Sequence, residues 1–331
     1  MLRSESMSRF EFPTLTDVRA AAARIAPFAR VTPVLRDQAL DELAGASLHF
    51  KCEHLQIGGA FKFRGACNAV WSLHEEEARR GVVTHSSGNH GAALALAARS
   101  RGIPAHVVVP EGAVRAKLAN IEAAGAILHV CAPTLAAREE TAARVARETG
   151  ATMVHPYTDP RVIAGQGTVV LELLRQAPEV DVLIAPLGGG GLMSGAAIVA
   201  RALSPSTQLL AAEPTGADDG WRSMQRGERV VDVVPNTICD GLRATIGEIN
   251  FELLRARGVE IATADDAQVL AAMCLLWKHL KQTVEPSSAV ALAVLLAQRE
   301  RWRGKKIGII LSGGNVDLDA LSFLKQATES S

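Results

Sequence analysis

Short runs of apolar, β-forming residues alternate with alanine-rich stretches of helical spacing along most of the chain. Gly81 to Ser86 reads as a strand, followed by a turn and a helix through Ala92 to Arg99. Ala105 to Val109 is the next strand, Val114 to Ala124 the next helix and Ala126 to Val130 another strand, with Gly102, Pro104 and Gly125 marking the changes. The pattern returns at Asp181 to Leu187 (strand), Leu192 to Leu203 (helix) and Gln208 to Ala212 (strand), and Lys306 to Leu311 is a last strand. Long helices are expected over Val162 to Arg175, Ala264 to Lys281 and Ser287 to Gln298. Strands that are apolar throughout and separated by helices predict parallel sheets covered on both faces. The expected fold class is α/β: two doubly wound parallel-sheet domains, with ligands where loops leave the carboxyl ends of strands.

Composition narrows the function. With 331 residues and 48% hydrophobic content, two domains with real cores fit the usual ~150 residues per domain. Lysine plus arginine equals aspartate plus glutamate, 35 each, so no net field favours nucleic acid or an anionic membrane. Met1 to Phe12 lacks the apolar centre of a secretory signal, and no apolar run is long enough to span a bilayer. The five cysteines are scattered and never form a Cys-x-x-Cys pair, which suits a reducing cytoplasm and isolated packing thiols.

Four loops carry candidate chemistry. Gly188 to Gly191 follows a strand and opens a helix, so the backbone can approach an anion at a helix N-terminus. No Gly-Lys-Ser/Thr follows, which disfavours a nucleoside-triphosphate loop. A dinucleotide site for an NAD(P)-dependent oxidoreductase remains open here: Gly189 and Gly191 are the first glycines, Ser194 an imperfect third position, and Glu213 the ribose-binding acid. In Gly59-Ala60-Phe61-Lys62-Phe63-Arg64-Gly65 a lysine stands between two phenylalanines. Desolvation there favours the neutral, nucleophilic amine, although a lysine snorkelling from a helix edge would look the same. Ser86-Ser87-Gly88-Asn89-His90 offers hydroxyls, an amide and helix-terminal N–H groups in one turn, which suits a carboxylate or plain helix capping. Ser312-Gly313-Gly314-Asn315 follows the last strand.

In this order these four motifs resemble the fold type II pyridoxal-phosphate (PLP) enzymes, in the branch of serine racemase and the serine/threonine and 3-hydroxyaspartate dehydratases. The resemblance runs from Thr32 and Pro33 to Ser312. It implies that Lys62 bonds the cofactor aldehyde and afterwards takes the substrate α-proton, with Phe61 beside it. Gly188, Gly189, Gly190, Gly191 and the amide of Leu192 would hold the cofactor phosphate, Asn89 the ring hydroxyl and Ser312 the ring nitrogen. A serine at that nitrogen leaves the ring largely neutral, so prompt loss of a β-hydroxyl competes well with transamination. Ser86, Ser87, Gly88, Asn89 and His90 would take the substrate carboxylate. Ser87 would also be the acid/base on the cofactor face opposite the lysine, which permits racemisation.

The resemblance implies further features. Glu213, the carbonyl of Ala217 and Asp219 correspond to a divalent cation site for Mg²⁺ or Ca²⁺, a donor set of hard oxygens; capping by Asp218 or Asp219 is the plainer reading. Arg138 aligns with an arginine facing the substrate side chain and could pair a β-carboxylate, or be a solvated arginine of a helix over Ala136 to Glu148. Tyr157, after His155 and Pro156, stands where relatives often have asparagine, and Ala244 where serine is common. Both departures point away from plain serine and toward 3-hydroxyaspartate or a bulkier β-hydroxy amino acid. Glu285 and Pro286 resemble a segment near the cofactor and receive no role; Ala164 to Thr168 reads as close helix packing. The expected activity is α,β-elimination giving a 2-oxo acid and ammonia, with racemisation or β-replacement as rivals. A small domain over residues 76–156 is expected, inserted into a large one formed by 1–75 and 157–331, in a homodimer without an appended regulatory domain.

Overall fold

The alternation resolves into two sheets in a computed structural model that describes residues 10–113 and 115–316. The strands are β1 (Val34–Leu35), β2 (Ser47–Cys52), β3 (Val82–His85), β4 (Ala105–Pro110) and β5 (Ile127–Cys131). After them come β6 (Thr152–Met153), β7 (Val182–Pro186), β8 (Gln208–Pro214), β9 (Glu260–Ala264) and β10 (Lys306–Leu311). Helices of the first half are α1 (Leu15–Ile25), α2 (Gln38–Ala44), α3 (Lys62–Trp71), α4 (Glu75–Arg79), α5 (Asn89–Arg101), α6 (Arg115–Ala123) and α7 (Leu135–Thr149). Those of the second are α8 (Pro160–Gln176), α9 (Gly191–Leu203), α10 (Asp219–Arg226), α11 (Glu248–Ala256), α12 (Asp266–Leu275) and α13 (Pro286–Ala297). Val114, the expected start of α6, lies outside the described residues.

One sheet has the order β1-β2-β10-β7-β8-β9, parallel except for β1, and the other is the parallel β5-β4-β3-β6. Strand β10 pairs with β2 along its whole length, so the last strand among the described residues lies in the middle of the larger sheet. Its side chains alternate between two cores: Ile307, Ile309 and Leu311 pack with α13, Ile310 with α8 and α9. In the smaller sheet Val82 faces the α5 side and Val83 the α7 side. Covering both faces explains the uninterrupted apolar strands.

Helix α8 brings α3 and α9 together through glycine. A Cβ on Gly165 would lie 2.6 Å from Gly65 Cα, and one on Gly195 2.5 Å from the Gly167 nitrogen. Only bare backbones fit there, as the Ala164 to Thr168 run suggested. The helix expected over 264–281 differs: α12 stops at Leu275, and Leu276–Leu280 form a π-turn. Left-handed Lys281 (φ 56°) closes it, its N–H bonding to Leu276 and Trp277, and redirects the chain toward Glu285. No helix among the described residues is long and apolar enough to cross a membrane.

Candidate active site

Lys62 is the first residue of α3, whose N-cap has no side-chain hydrogen bond. Its Nζ donates to the carbonyl of Pro156 at 2.9 Å, which joins α3 to the chain leaving β6. Burial pulls the amine down to about 8, against the opposing pull of Glu285. The positive end of α3 acts in the same direction as burial. The two flanking phenylalanines divide their work. The Phe61 ring lies 5.1 Å from Nζ, whereas Phe63 turns away into the core shared with α5. Desolvation of the amine therefore comes from one ring and the surrounding fold, and Phe63 is a packing residue.

The glycine loop leaves β7 and enters α9 with Gly190 at φ 96° and no side-chain cap. Among the described residues the amides of Gly188, Gly189, Gly190, Gly191 and Leu192 donate to no carbonyl or side chain. Five adjacent open N–H groups at a helix N-terminus form an anion cradle. It is supported from behind. Asn250 Nδ2 donates to the carbonyls of Gly189 (2.6 Å) and Tyr157 (2.9 Å), while Ser194 donates to Asn250 Oδ1 at 2.9 Å. Asn250 is fully buried and had no sequence signal, since a lone asparagine in α11 has no motif around it.

The turn after β3 is not capped as serine or asparagine would cap it. Gly88 is the N-cap of α5 without a side-chain bond, and Ser87 is half-buried with no hydrogen bond among the described residues. Ser86 Oγ accepts weakly from the Gly88 amide at 3.4 Å. His90 is buried beyond the turn, and burial with nearby Lys62 drives its pKa well below the usual histidine value. Asn89 reaches across the cleft, donating to Glu285 Oε1 and Oε2 at 3.0 and 3.1 Å and accepting from Asn315 at 2.9 Å. Glu285, given no role above, is thus a site residue: it contacts Asn89 and acts on Lys62. Ser312 is buried after β10, its carbonyl accepting from the Phe61 amide at 2.9 Å. The contacts of Lys62 with Pro156, Phe61 with Ser312, Asn89 with Glu285 and Asn315, and Tyr157 with Gly189 bring the three strand-end loops and Lys62 together.

Arg138 stands half-exposed on α7, its Nε 3.4 Å from the Thr134 carbonyl, and its charge acts on His85 and Tyr157. Glu213, at the end of β8, is fully buried and accepts from the amides of Gly220 (3.1 Å) and Trp221 (2.7 Å). Asp219 accepts from the Ile246 amide at 2.7 Å. Burial and the neighbouring Asp219 hold the Glu213 carboxyl well above its ordinary range, and burial takes Asp219 to about 6. Asp218 is the N-cap of α10 but makes no side-chain cap; Glu213 does that work. Buried and engaged in this way, Glu213 is not placed for a ribose, which removes the dinucleotide reading of the glycine loop.

Residues 25–313 match the family described as pyridoxal-phosphate dependent enzyme. A beta-hydroxyaspartate dehydratase of Paracoccus denitrificans is 48% identical over 311 residues, 94% of this chain and 99% of that protein. A serine racemase of Arabidopsis thaliana is 47% identical over 312 residues, 93% of this chain and 94% of that one. The solved structure of maize serine racemase superposes with a TM-score of 0.92 at 44% identity, covering 97% of this chain and 99% of that one. With this fold, this cleft and matches across almost its whole length, the chain belongs to the pyridoxal-phosphate-dependent enzymes.

Proposed function

We propose that the protein is a dehydratase that converts a small β-hydroxy amino acid to a 2-oxo acid and ammonia by α,β-elimination, with 3-hydroxyaspartate as its leading substrate and threonine or serine behind it. The observation that carries this reading is an amine drawn down to about 8 in a cleft whose glycine loop presents open amides. The donor set fits the cofactor: the amides of 188–192 suit its phosphate, and Lys62 its aldehyde. Bound pyridoxal phosphate supplies an electron sink for the charge left when the substrate α-proton departs.

The remaining chemistry belongs to the chain. Lys62, neutral over part of the physiological range, takes the α-proton. The open end of α5 at Ser86 to His90 holds the α-carboxylate, and Arg138 pairs a β-carboxylate. Ser312 would offer the ring nitrogen a hydroxyl in place of a carboxylate, which favours prompt departure of the β-hydroxyl over transamination. The domain boundaries proposed are 1–75 with 157–331 and 76–156; the four strands from β3 to β6, all within 76–156, support them. The unbonded Ser87 hydroxyl favours a second activity, racemisation, from the face opposite Lys62.

We also propose a divalent cation, Mg²⁺ or Ca²⁺, at Glu213, Asp219 and the Ala217 carbonyl. Two buried, mutually repelling carboxylates fit such an ion, which would offset their charge away from bond breaking. Heating with Mg²⁺ against a chelator is expected to raise the unfolding midpoint, and Glu213→Gln to abolish the rise. A homodimer is proposed from the likeness to relatives, and a reducing compartment is supported by five free thiols. Purified holoenzyme offered 3-hydroxyaspartate, threonine and serine should release ammonia and 2-oxo acid, most efficiently from the first. D-serine formed from L-serine and lost in Ser87→Ala would establish the second activity. An enzyme yielding no ammonia from any of the three would overturn the proposal.

A further inference from the structure

Two hydrogen-bond donors bracket the carbonyl that holds Lys62, and the chemistry above uses neither. His155 has its proton position set by backbone. Its Nδ1 accepts from the amides of Tyr157 (3.4 Å) and Thr158 (3.2 Å), just ahead of the N-terminus of α8. A ring nitrogen that accepts cannot carry the hydrogen, so the neutral imidazole carries it on Nε2. Burial first, then His85 and Lys62, lower this ring to about 4, which keeps it neutral at working pH. A neutral histidine held in one tautomer beside a helix start is a fixed donor rather than an acid. Among the described residues nothing accepts from Nε2.

Tyr157 is the one tyrosine in the chain. Its ring meets the His155 ring edge-on at 4.6 Å, and a Cβ on Gly189 would lie 2.3 Å from its Cγ, so it lies directly on the glycine loop. Burial, with Glu139 and Asp219, raises the phenol pKa while Arg229 and Arg138 oppose it. Those charges come from α7 on the smaller sheet and from α10 and the chain after it on the larger, so the phenol stands between the two. Its hydroxyl stays protonated and has no hydrogen-bond partner among the described residues.

Donors left without partners select for ligands that supply acceptors. A β-methyl in this space would desolvate both groups and pair neither, whereas a carboxylate can accept from each and from Arg138. We propose that His155 and Tyr157 are specificity-determining residues that donate, through Nε2–H and the phenol hydroxyl, to the oxygens of a β-carboxylate on the substrate. The inference rests on the lyase reading above and names the substrate class of that same site.

Two conservative variants separate the donors from the scaffold. His155→Asn retains an oxygen that can accept from the amides of 157 and 158 but loses the Nε2 donor; Tyr157→Phe loses only the hydroxyl. In each holoenzyme the ratio of kcat/KM for 3-hydroxyaspartate to that for threonine is expected to fall about tenfold or more, the cost of a lost hydrogen bond to a charged group. A second arm is independent of turnover. With 3-fluorotyrosine in place of the single tyrosine, succinate should shift the one fluorine resonance of the holoenzyme and butyrate should not. A ratio within about threefold of the parent in both variants, equal to less than about 0.7 kcal/mol, would overturn the inference while leaving the lyase reading intact. Absence of ammonia from every substrate would sink the lyase reading, and the fluorine arm would still decide on the donors: a succinate shift supports them, none overturns them.

Discussion

Replacing Arg64 by methionine removes the centre of a buried ion network two residues beyond Lys62. Arg64 is 1% exposed; it donates to Glu53 at 2.7 and 2.8 Å and to Glu172 at 2.7 and 2.8 Å. Among the described residues Glu53, fully buried, would keep the Thr32 hydroxyl as its one side-chain hydrogen bond and the nearby Lys51 charge, whereas Glu172 would keep Lys51 at 2.6 Å. Removing one partner of a buried pair costs about 3–5 kcal/mol because the other charge is stranded, and the contacts retained here point to the lower end. With an unfolding entropy of about 2.1 cal/mol/K per residue, 331 residues give about 0.7 kcal/mol/K, so a 3 kcal/mol loss lowers the midpoint by about 4 °C. Calorimetry on the holoenzyme measures this directly. Adding Glu53→Gln to Arg64→Met should return part of the loss, since it removes the stranded charge. Arg64→Lys should restore charge but not the forked geometry, giving an intermediate value. A loss below about 1 kcal/mol, or a double variant no more stable than the single, would show that no buried charge is stranded when Arg64 is removed.

Gly189→Ala places a methyl 2.3 Å from Tyr157 Cγ, so ring or loop must shift; kcat is expected to fall by on the order of a hundredfold, as for an ~1 Å misplacement, with the fold intact by circular dichroism. Capture of pyridoxal phosphate by the apoenzyme, followed by stopped-flow absorbance, should quicken about tenfold per pH unit and level off near pH 8, where Lys62 is drawn by burial. An unperturbed lysine would continue to accelerate toward pH ~10.4.

The strand-end loops could be read from the sequence because glycine, serine and asparagine punctuate apolar runs, and β10 was bounded to the residue. Other parts were hidden by chemistry that only long-range partners explain. Strand β2 ends in Lys51 and Cys52, and a fully buried lysine spoils an apolar pattern unless its partner Glu172, 121 positions away, is known. Helix α3 was obscured in the same way: Arg64, Gly65 and Asn68 are all buried on it, serving the ion network, the crossing with Gly165 and the carbonyl of Arg161. Glu285 and Asn250 could not be assigned because their work is done on loops 196 and 61 residues distant. The tautomer of His155 depends on two local amides, but local spacing alone does not show that the chain folds back onto its ring.

The Lys62 amine is expected to receive the cofactor aldehyde. Borohydride reduction of the coloured holoenzyme, followed by proteolysis and mass spectrometry, should find the pyridoxyl group on the peptide containing Lys62 and on no other lysine, and Lys62→Ala should lose both the colour and the modified peptide. A protein that stays colourless with added pyridoxal phosphate, or that is labelled at a different lysine while Lys62→Ala remains active, would contradict it.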